Sequence, residues 1–310
     1  MFSKDMLIST TCGFRKVHFL EKYSMVHNCI SHTKDIFSAE ILKDSDTLYN
    51  VSLSDGSSII VSEKQQFLTL DSNYTYTWIP FSSLHHEVPL CVNSPYLCHI
   101  GKGINSSLSF LLGIFSVKSS ITQRIITSNN IPLLKKVRLL WKDCFNENLK
   151  DICDSDMLSL YAPESSIGLN KISILFKNLE EIPIYILDSS YENAKSYIKG
   201  ILSVVKQQEM LDNIAFFFKS KYRLVRQLQL LLNRFNIDSD IEFNTLLLPK
   251  DFNKILEYKQ SNFNIFKYFS KKLFKFKLVT DIKKQSNEEG VLLRTPYSYF
   301  INNVITKNLI

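Results

Sequence analysis

Two groups of basic and amide side chains could bind the phosphates and base edges of a nucleic acid. Lysine and arginine neutralise phosphates, and arginine, lysine and glutamine can hydrogen-bond to base edges. The groups comprise Lys118, Gln123 and Arg124 in one segment, and Lys206, Gln207, Gln208, Lys219 and Lys221 in another. The same residues would equally suit a solvated strand face, and the excess of 37 Lys and Arg over 30 Asp and Glu is too small to decide between the two.

The histidine and cysteine residues do not form a pattern typical of a metal site. Cys91, Cys98 and His99 lack the paired Cys-x₂-Cys spacing of structural zinc sites. The polar segment His85-His86-Glu87 is more typical of an exposed turn than of a ligand set. We therefore expect no bound metal, and the unpatterned cysteines favour a reducing compartment.

A seven-residue pattern that occurs twice predicts the elements that position the basic groups. Residues 111–117 read LLGIFSV, and residues 198–204 read IKGILSV. A glycine within a helix costs about 1 kcal/mol relative to alanine, so we expect Gly113 and Gly200 to allow two helices to cross closely. Each copy precedes a β-like run and a periodic helix, Ile131–Trp141 and Tyr222–Phe235. The pattern favours a duplicated α/β domain over two helices that share it by chance.

The repeats resemble the two motif helices of LAGLIDADG homing endonucleases of the kind found inside inteins, over about residues 105 to 245. The flanks resemble the two halves of a protein-splicing (Hint) domain. This second resemblance is carried by residues 2–17, by a hairpin at 49–61 around Asp55-Gly56, by the block 62–68 and by the terminal run 297–308. The Asp-Gly pair predicts that hairpin independently of the resemblance.

The resemblance implies that splicing activity is lost. Splicing begins with attack by a thiol or hydroxyl at the first residue, where this chain has Met1, and a thioether cannot attack. The histidine that assists this step is replaced by Gln65, which cannot carry a proton. The penultimate histidine is replaced by Lys307, and Leu309 occupies the position of the downstream nucleophile. Asn308 is the splicing residue that is retained.

The resemblance also implies that the nuclease centre is inactive. Cleavage in this family needs a carboxylate at the foot of each motif helix, because hard oxygen ligands hold Mg²⁺ against the scissile phosphates. Alignment on Gly113 and Gly200 places Lys118 and Val205 at these positions. Glu209 is the acid closest to the second helix, and it lies too far along the chain for this role.

In this family the strands after each motif form a saddle that lies on DNA, so the resemblance places the two basic groups on that saddle. A further basic tract, from Lys259 to Lys277, interleaves lysines with phenylalanines and tyrosines. Such a tract could stack on a single strand. A buried aromatic seam with a lysine rim is the favoured interpretation.

Together these patterns predict an α+β architecture. A split all-β Hint domain, residues 1–103 and 250–310, would carry an inserted, pseudo-two-fold duplicated LAGLIDADG-type α/β domain at residues 104–249. The segments 101–107 and 248–252 are the expected crossings between the two parts. The chain has Met1 where an intein has its first Cys, and it ends two residues after Asn308. Both observations suit a free-standing gene product, and they equally suit an intein cut from its host protein with its first Cys changed to Met.

The predicted function is binding of double-stranded DNA without cleavage or splicing, by a protein that acts as a monomer. One alternative is an active, Mg²⁺-dependent site-specific endonuclease with unusual ligands such as Glu209. Another is a structural role in binding RNA or a protein. We expect no cofactor, except Mg²⁺ if nuclease activity remains. We also expect no membrane segment, and a soluble intracellular location that would be nuclear in a eukaryote.

Overall fold

The computed structural model describes the chain in ranges separated by gaps: residues 2–10, 13–20, 23–27, 36–71, 76–92, 104–117, 125–154, 157–163, 165–176, 180–187, 189–219, 221–233, 235, 237–257, 275–294, 299–302 and 304–308. The chain divides into two compact units. The first comprises residues 1–97, 233–242 and 251–310, and the second comprises residues 98–232 and 243–250. Residues 233–242, which the sequence places in the inserted domain, therefore group with the flanking unit.

The strands, in chain order, are β1 Phe2–Ser3, β2 Leu7–Thr10, β3 Gly13–Lys16, β4 Tyr23–His27, β5 Ile36–Leu53, β6 Ser58–Ser62, β7 Gln65–Leu70, β8 Tyr76–Pro80, β9 Pro89–Val92, β10 Ile125–Ser128, β11 Lys150–Asp154, β12 Met157–Tyr161, β13 Lys206–Glu209, β14 Asn213–Phe217, β15 Asp240–Glu242, β16 Thr245–Pro249, β17 Lys275–Arg294, β18 Tyr299–Ile301 and β19 Val304–Asn308.

The α-helices are α1 Ser106–Val117, α2 Ile131–Phe145, α3 Ile167–Leu175, α4 Ile184–Leu187, α5 Tyr191–Leu202, α6 Tyr222–Asn233 and α7 Phe252–Glu257. Short 3₁₀ turns occur at Val17–Phe19 and Phe81–Ser83. Among the helices that the structure describes, none combines the length and apolar character needed to cross a membrane.

The first unit is built around a large antiparallel sheet that closes on itself. Its strand order runs β17-β1-β6-β5-β4-β2-β18-β19-β9-β7-β8, with β3 paired to β2. Strand β17 also pairs with β5 and with β9, which lies near the other end of this order. Side chains such as those of Phe2, Ile8, Val51, Phe67 and Leu90 fill the enclosed core. The fold is thus a mixed α and β one with a dominant antiparallel sheet.

The hairpin predicted around Asp55-Gly56 is confirmed. Strands β5 and β6 pair with Ser52 opposite Ser58, and Gly56 has a φ of +76°. This φ lies in the left-handed region that glycine adopts without steric cost. The Asp55 carboxylate accepts hydrogen bonds from the backbone N–H and the hydroxyl of Ser57, at 3.0 and 2.6 Å. Local turn chemistry therefore sets this register.

In the second unit, polar side chains define where the main helices begin. Each accepts a hydrogen bond from a free backbone N–H of the first turn, which stabilises a helix start. Asn105 accepts from Leu108, Asn130 from Leu133 and Ser166 from Leu169. Ser190 does the same at the start of α5, accepting from the N–H of Asn193.

Helices α1 and α6 differ in how much of their surface is buried. In α1 every residue from Ser109 to Ser116 is buried, which is expected for a central helix that is apolar on all sides. Helix α6 is amphipathic. The spacing of Leu224, Leu228, Leu231, Leu232 and Phe235 predicts one apolar face, and all five are buried, although α6 ends at Asn233. The predicted single apolar face of α6 is therefore confirmed.

The element order repeats along the chain. The first copy runs α1-β10-α2-β11-β12-α3, and the second runs α5-β13-β14-α6-β15-β16-α7. Strand β13 has no counterpart in the described part of the first copy, because residues 118–124 lie outside the described ranges. Both β10 with β12 and β14 with β16 form antiparallel pairs within the second unit. Apart from β13, the described elements follow the same order in the two copies, although α7 belongs to the first unit.

Candidate functional site

Helices α1 and α5 pack with their backbones in direct contact at the two repeat glycines. A Cβ atom added to Gly113 would overlap the carbonyl oxygen of Tyr197 and lie 3.1 Å from the Cα of Gly200. A Cβ atom added to Gly200 would overlap the carbonyl oxygen of Phe110 and lie 3.2 Å from the Cα of Gly113. Only glycine fits at either position without moving a helix, so these two residues set the helix separation.

A buried polar cluster lies at the C-terminal end of α1. The hydroxyl oxygens of Ser116 and Tyr197 are 2.6 Å apart, and Ser116 also donates to the carbonyl oxygen of Leu112. The ammonium group of Lys221 donates to the carbonyl oxygen of Ser116 at 2.7 Å. Ser116 and Tyr197 are fully buried and Lys221 is nearly so. The cluster joins α1, α5 and the start of α6.

Burial changes the acid–base properties of this cluster. It lowers the pKa of Lys221, against which the charge of Glu180 acts in the opposite direction. Burial raises the pKa of Tyr197, and the hydrogen bond with Ser116 opposes that shift. Tyr197 therefore remains a neutral hydrogen-bonding group, while Lys221 loses its proton more readily than an exposed lysine.

The alignment places Lys118 and Val205 where the family has its metal-binding carboxylates. Of these two residues, the structure describes Val205. Val205 is buried and 7% exposed, while Lys118 lies outside the described residues. Glu209 ends β13 with an exposed side chain, three residues beyond Lys206. Within the described ranges, no three His, Cys, Asp or Glu side chains gather into a set that could hold a metal ion.

The register of the second sheet separates the predicted basic group into two faces. Lys206 lies opposite Phe217, and Gln208 lies opposite Ala215, whereas Gln207 lies opposite Phe216. Successive side chains of a strand point to opposite faces, so Lys206 and Gln208 share one face and Gln207 takes the other. Phe216 is fully buried, as are Leu246 and Leu248 on the same face. On the face of Lys206 and Gln208, Ala215 and Leu247 are buried, whereas Lys206, Gln208 and Phe217 are exposed. We call the exposed part of this face, formed by Lys206, Gln208 and Phe217, the open face of the second sheet.

The remaining predicted binding residues fall into three classes. Lys219 has an exposed side chain just after β14. Lys221 is committed to the carbonyl oxygen of Ser116, which removes it from any exposed set. Gln123 and Arg124, like Lys118, lie outside the described residues. Lys206, Gln208 and Lys219 are the predicted residues that the structure presents on or beside the open face.

The first sheet presents a lysine that the sequence did not single out. Lys150 lies opposite Tyr161, and the neighbouring residue Asp151 forms an ion pair with Arg138 of α2. Asp151 therefore points to the helix side of the first sheet, and Lys150 and Tyr161 point to its opposite side, which we call the open face of the first sheet. Residues 150–161 do not alternate polar and apolar side chains, so no local sequence pattern identifies Lys150 and Tyr161 as neighbours.

In the first unit, strand pairing brings together the segments that resemble splicing blocks. Asn308 of β19 lies opposite Gln65 of β7, and Phe2 of β1 lies opposite Val61 of β6. The side chain of Gln65 is fully buried. Lys307 lies opposite Gln66, while Met1 and Leu309 lie outside the described residues, as do the side chains of Lys307 and Asn308.

The other candidate ligands are separated or buried. His85, His86 and Glu87 are exposed, which confirms the predicted exposed turn, and Nδ1 of His86 lies 3.8 Å from a carboxylate oxygen of Glu87. Cys91 is fully buried, and burial raises the pKa of its thiol to about 12. Cys98, His99 and the tract 258–274 lie outside the described residues.

Comparison with known proteins finds similarity among solved structures. No protein-family model matches the sequence, and no curated protein matches it. The crystal structure of the gp41-1 intein is similar to 30% of this chain and 67% of the intein chain, with 20% sequence identity and a TM-score of 0.22. The chain therefore has a weak similarity to an intein over part of its length.

Proposed function

We propose that this protein binds double-stranded DNA and neither cleaves it nor splices itself, and that it descends from an intein with an inserted LAGLIDADG endonuclease. The observation that carries the proposal is the contact of Gly113 with Gly200 at the centre of a repeated element order. Two motif helices that cross at small residues, each followed by strands and a helix, are the arrangement that the resemblance implies.

The residues around the C-terminal ends of α1 and α5 support the proposed loss of DNA cleavage. Val205 offers an apolar side chain where a metal ligand would be needed. The ammonium group of Lys221 occupies the end of α1 and satisfies the carbonyl oxygen of Ser116. A fixed cation at this helix end disfavours a divalent cation beside it, because like charges repel strongly away from water. Glu209 lies about 10 Å beyond Lys206 along β13, at roughly 3.3 Å per residue.

The loss of splicing is supported by the pairing of β7 with β19. This pairing places Gln65 opposite Asn308, where a histidine would be needed to assist acyl transfer. An amide group does not titrate in the pH range in which proteins work, so it cannot take and return the proton. The pairing would preserve the arrangement of the splicing segments after their chemistry is lost.

Binding is supported by the composition of the open faces of the two sheets. Lys150 provides a cation on the open face of the first sheet, and Lys206, Gln208 and Lys219 provide cations and an amide on or beside that of the second. Lys150, Lys206 and Lys219 take part in none of the ion pairs formed by the described residues, so their charges are available to phosphates. Phosphate neutralisation supplies most of the affinity of nonspecific DNA binding.

Selection from a randomised duplex library, followed by fluorescence anisotropy at several salt concentrations, tests this proposal. We expect the logarithm of the association constant to fall linearly with the logarithm of salt concentration. Lys206→Ala should reduce the slope by about 1, because one phosphate contact is lost. Lys135→Ala, an exposed lysine on α2 rather than on the sheet, should leave the slope unchanged. Failure of the native protein to retain any duplex would overturn the proposal.

A further inference from the structure

Each sheet of the second unit presents a lysine beside an aromatic side chain on its open face. In the first sheet Lys150 lies directly opposite Tyr161, and in the second Lys206 lies directly opposite Phe217. Phe217 is 40% exposed although its neighbour Phe216 is fully buried. Directly opposed residues of an antiparallel pair have their Cβ atoms about 5 Å apart. A cation and an aromatic ring are therefore adjacent in both halves of the repeat.

A second aromatic residue extends this surface in the second half. Phe243 lies in the turn before β16 and is 94% exposed. Its backbone φ is +55°, in the left-handed region that is costly for a bulky side chain. The N–H of Phe218 donates to the carbonyl oxygen of Asn244 at 2.9 Å, which holds this turn at the Phe217 end of β14.

The exposure of the Phe243 side chain and its left-handed backbone both cost free energy when no partner is bound. An exposed phenylalanine leaves a large apolar area in water, and the left-handed backbone favours glycine or asparagine at the same position. Lys206, Phe217 and Thr245 form one row across the sheet, next to this turn. The side chain of Glu209 alternates to the other face of β13, whereas the exposed Glu242 directly precedes Phe243 at the end of β15.

We propose that Phe217 and Phe243 stack on unpaired bases, so that the open face of the second sheet prefers DNA in which at least one base has left the duplex stack. Aromatic side chains hold bases through their faces without regard to sequence, and adjacent lysines neutralise the flanking phosphates. Aromatic wedges are also the means by which proteins open a base step in a distorted duplex. This inference rests on the proposed binding of DNA and specifies the form of DNA that is bound.

Anisotropy titration with three DNAs tests the inference: a paired duplex, the same duplex with one unpaired thymine in its centre, and one of its strands alone. We expect the duplex with the unpaired thymine to bind about tenfold more tightly than the paired duplex. Phe243→Ala and Phe217→Ala should each remove most of this preference. Leu139→Ala, an exposed apolar residue on α2 that is 64% exposed, is the matched control and should retain it.

The outcomes separate this inference from the proposed function. Binding of the paired duplex without a preference for the unpaired thymine, or a preference that survives both phenylalanine substitutions, overturns the inference alone. A Phe243-dependent preference without measurable binding of the paired duplex supports the inference and overturns the proposed function. Absence of binding to all three DNAs overturns both. If Phe217→Ala lowers the melting temperature, its loss of DNA preference could reflect unfolding. The result for Phe243→Ala, at the more exposed position, then determines whether the inference stands.

Discussion

The ammonium group of Lys221 donates a hydrogen bond of 2.7 Å to the carbonyl oxygen of Ser116, the penultimate residue of α1. Lys221 immediately precedes α6, so this bond ties the start of one helix to the end of another. A cation at a helix C-terminus also interacts favourably with the helix dipole. The residue that the sequence suggests as a phosphate contact therefore has a structural role within the second unit.

Replacement of Lys221 by methionine should destabilise the protein. The buried carbonyl oxygen of Ser116 would lose its partner, which costs about 1–3 kcal/mol. Urea unfolding of Lys221→Met measures this loss, and Lys219→Met, which changes an exposed neighbour, should stay within about 0.5 kcal/mol of the native protein. Equal stability of the two variants would contradict the structural role.

The lowered pKa of Lys221 predicts a pH dependence with a definite sign. Burial places the folded-state pKa below the unfolded value of 10.5, so between these values the unfolded chain holds more protons than the folded one. The free energy of unfolding of the native protein, relative to Lys221→Met, should therefore rise with pH through this window and be flat below it. Urea unfolding of both proteins at a series of alkaline pH values measures the difference. A difference that falls toward pH 10.5 would refute the assignment.

Substitution of Gly113 by alanine should be strongly destabilising despite the higher helix propensity of alanine. The added methyl group would overlap the carbonyl oxygen of Tyr197 and force α1 away from α5. Overpacking of this kind costs about 1–3 kcal/mol, which exceeds the gain of about 1 kcal/mol from propensity. Thermal unfolding measures the balance, with Asn170→Ala on the exposed side of α3 as the control. An increase in melting temperature would show that the helices are not in contact.

Glu147 should make stability depend on acidic pH. Its carboxylate accepts hydrogen bonds from the Ser166 hydroxyl and from the backbone N–H groups of Ile167 and Gly168, at 2.7, 2.6 and 3.3 Å. Burial alone would raise its pKa, but these hydrogen bonds lower it below the ordinary value of 4.5. Glu147→Gln should cost about 1.5–3 kcal/mol at neutral pH.

The stabilisation by Glu147 is present above pH 4.5 and should be lost as pH falls through the lowered folded-state value. Unfolding of native protein and Glu147→Gln across this range should therefore converge at low pH. The exposed Glu209→Gln serves as the control, and its difference from the native protein should remain small throughout. A Glu147→Gln deficit that persists unchanged in strong acid would contradict the assignment.

Local sequence patterns predicted much of the fold, because turn conformation, helix packing at glycine and helix amphipathicity depend on residues close together in the chain. The Asp55-Gly56 pair predicts its hairpin because few residues adopt the backbone of that turn. The two glycines predict a close helix crossing because a glycine within a helix needs a packing reason. The spacing of Leu224, Leu228, Leu231 and Leu232 predicts one buried face of α6.

The parts of the site that depend on distant pairings were not predictable in this way. Lys221 and Ser116 are 105 residues apart, and nothing near Lys221 indicates that its side chain turns inward. The assignment of Lys206 and Gln208 to one face, and of Gln207 to the other, follows from pairing with β14. The position of Lys150 on the open face of the first sheet follows from its register with Tyr161.

The most direct test of the central claim is incubation of the native protein with its selected duplex, with and without Mg²⁺, while retained and cleaved DNA are both measured. The account predicts retention of intact strands under both conditions, because Val205 offers no metal ligand and Lys221 places a cation at the end of α1. Mg²⁺-dependent cleavage would contradict it. Loss of that cleavage in Glu209→Gln would then identify the missing ligand.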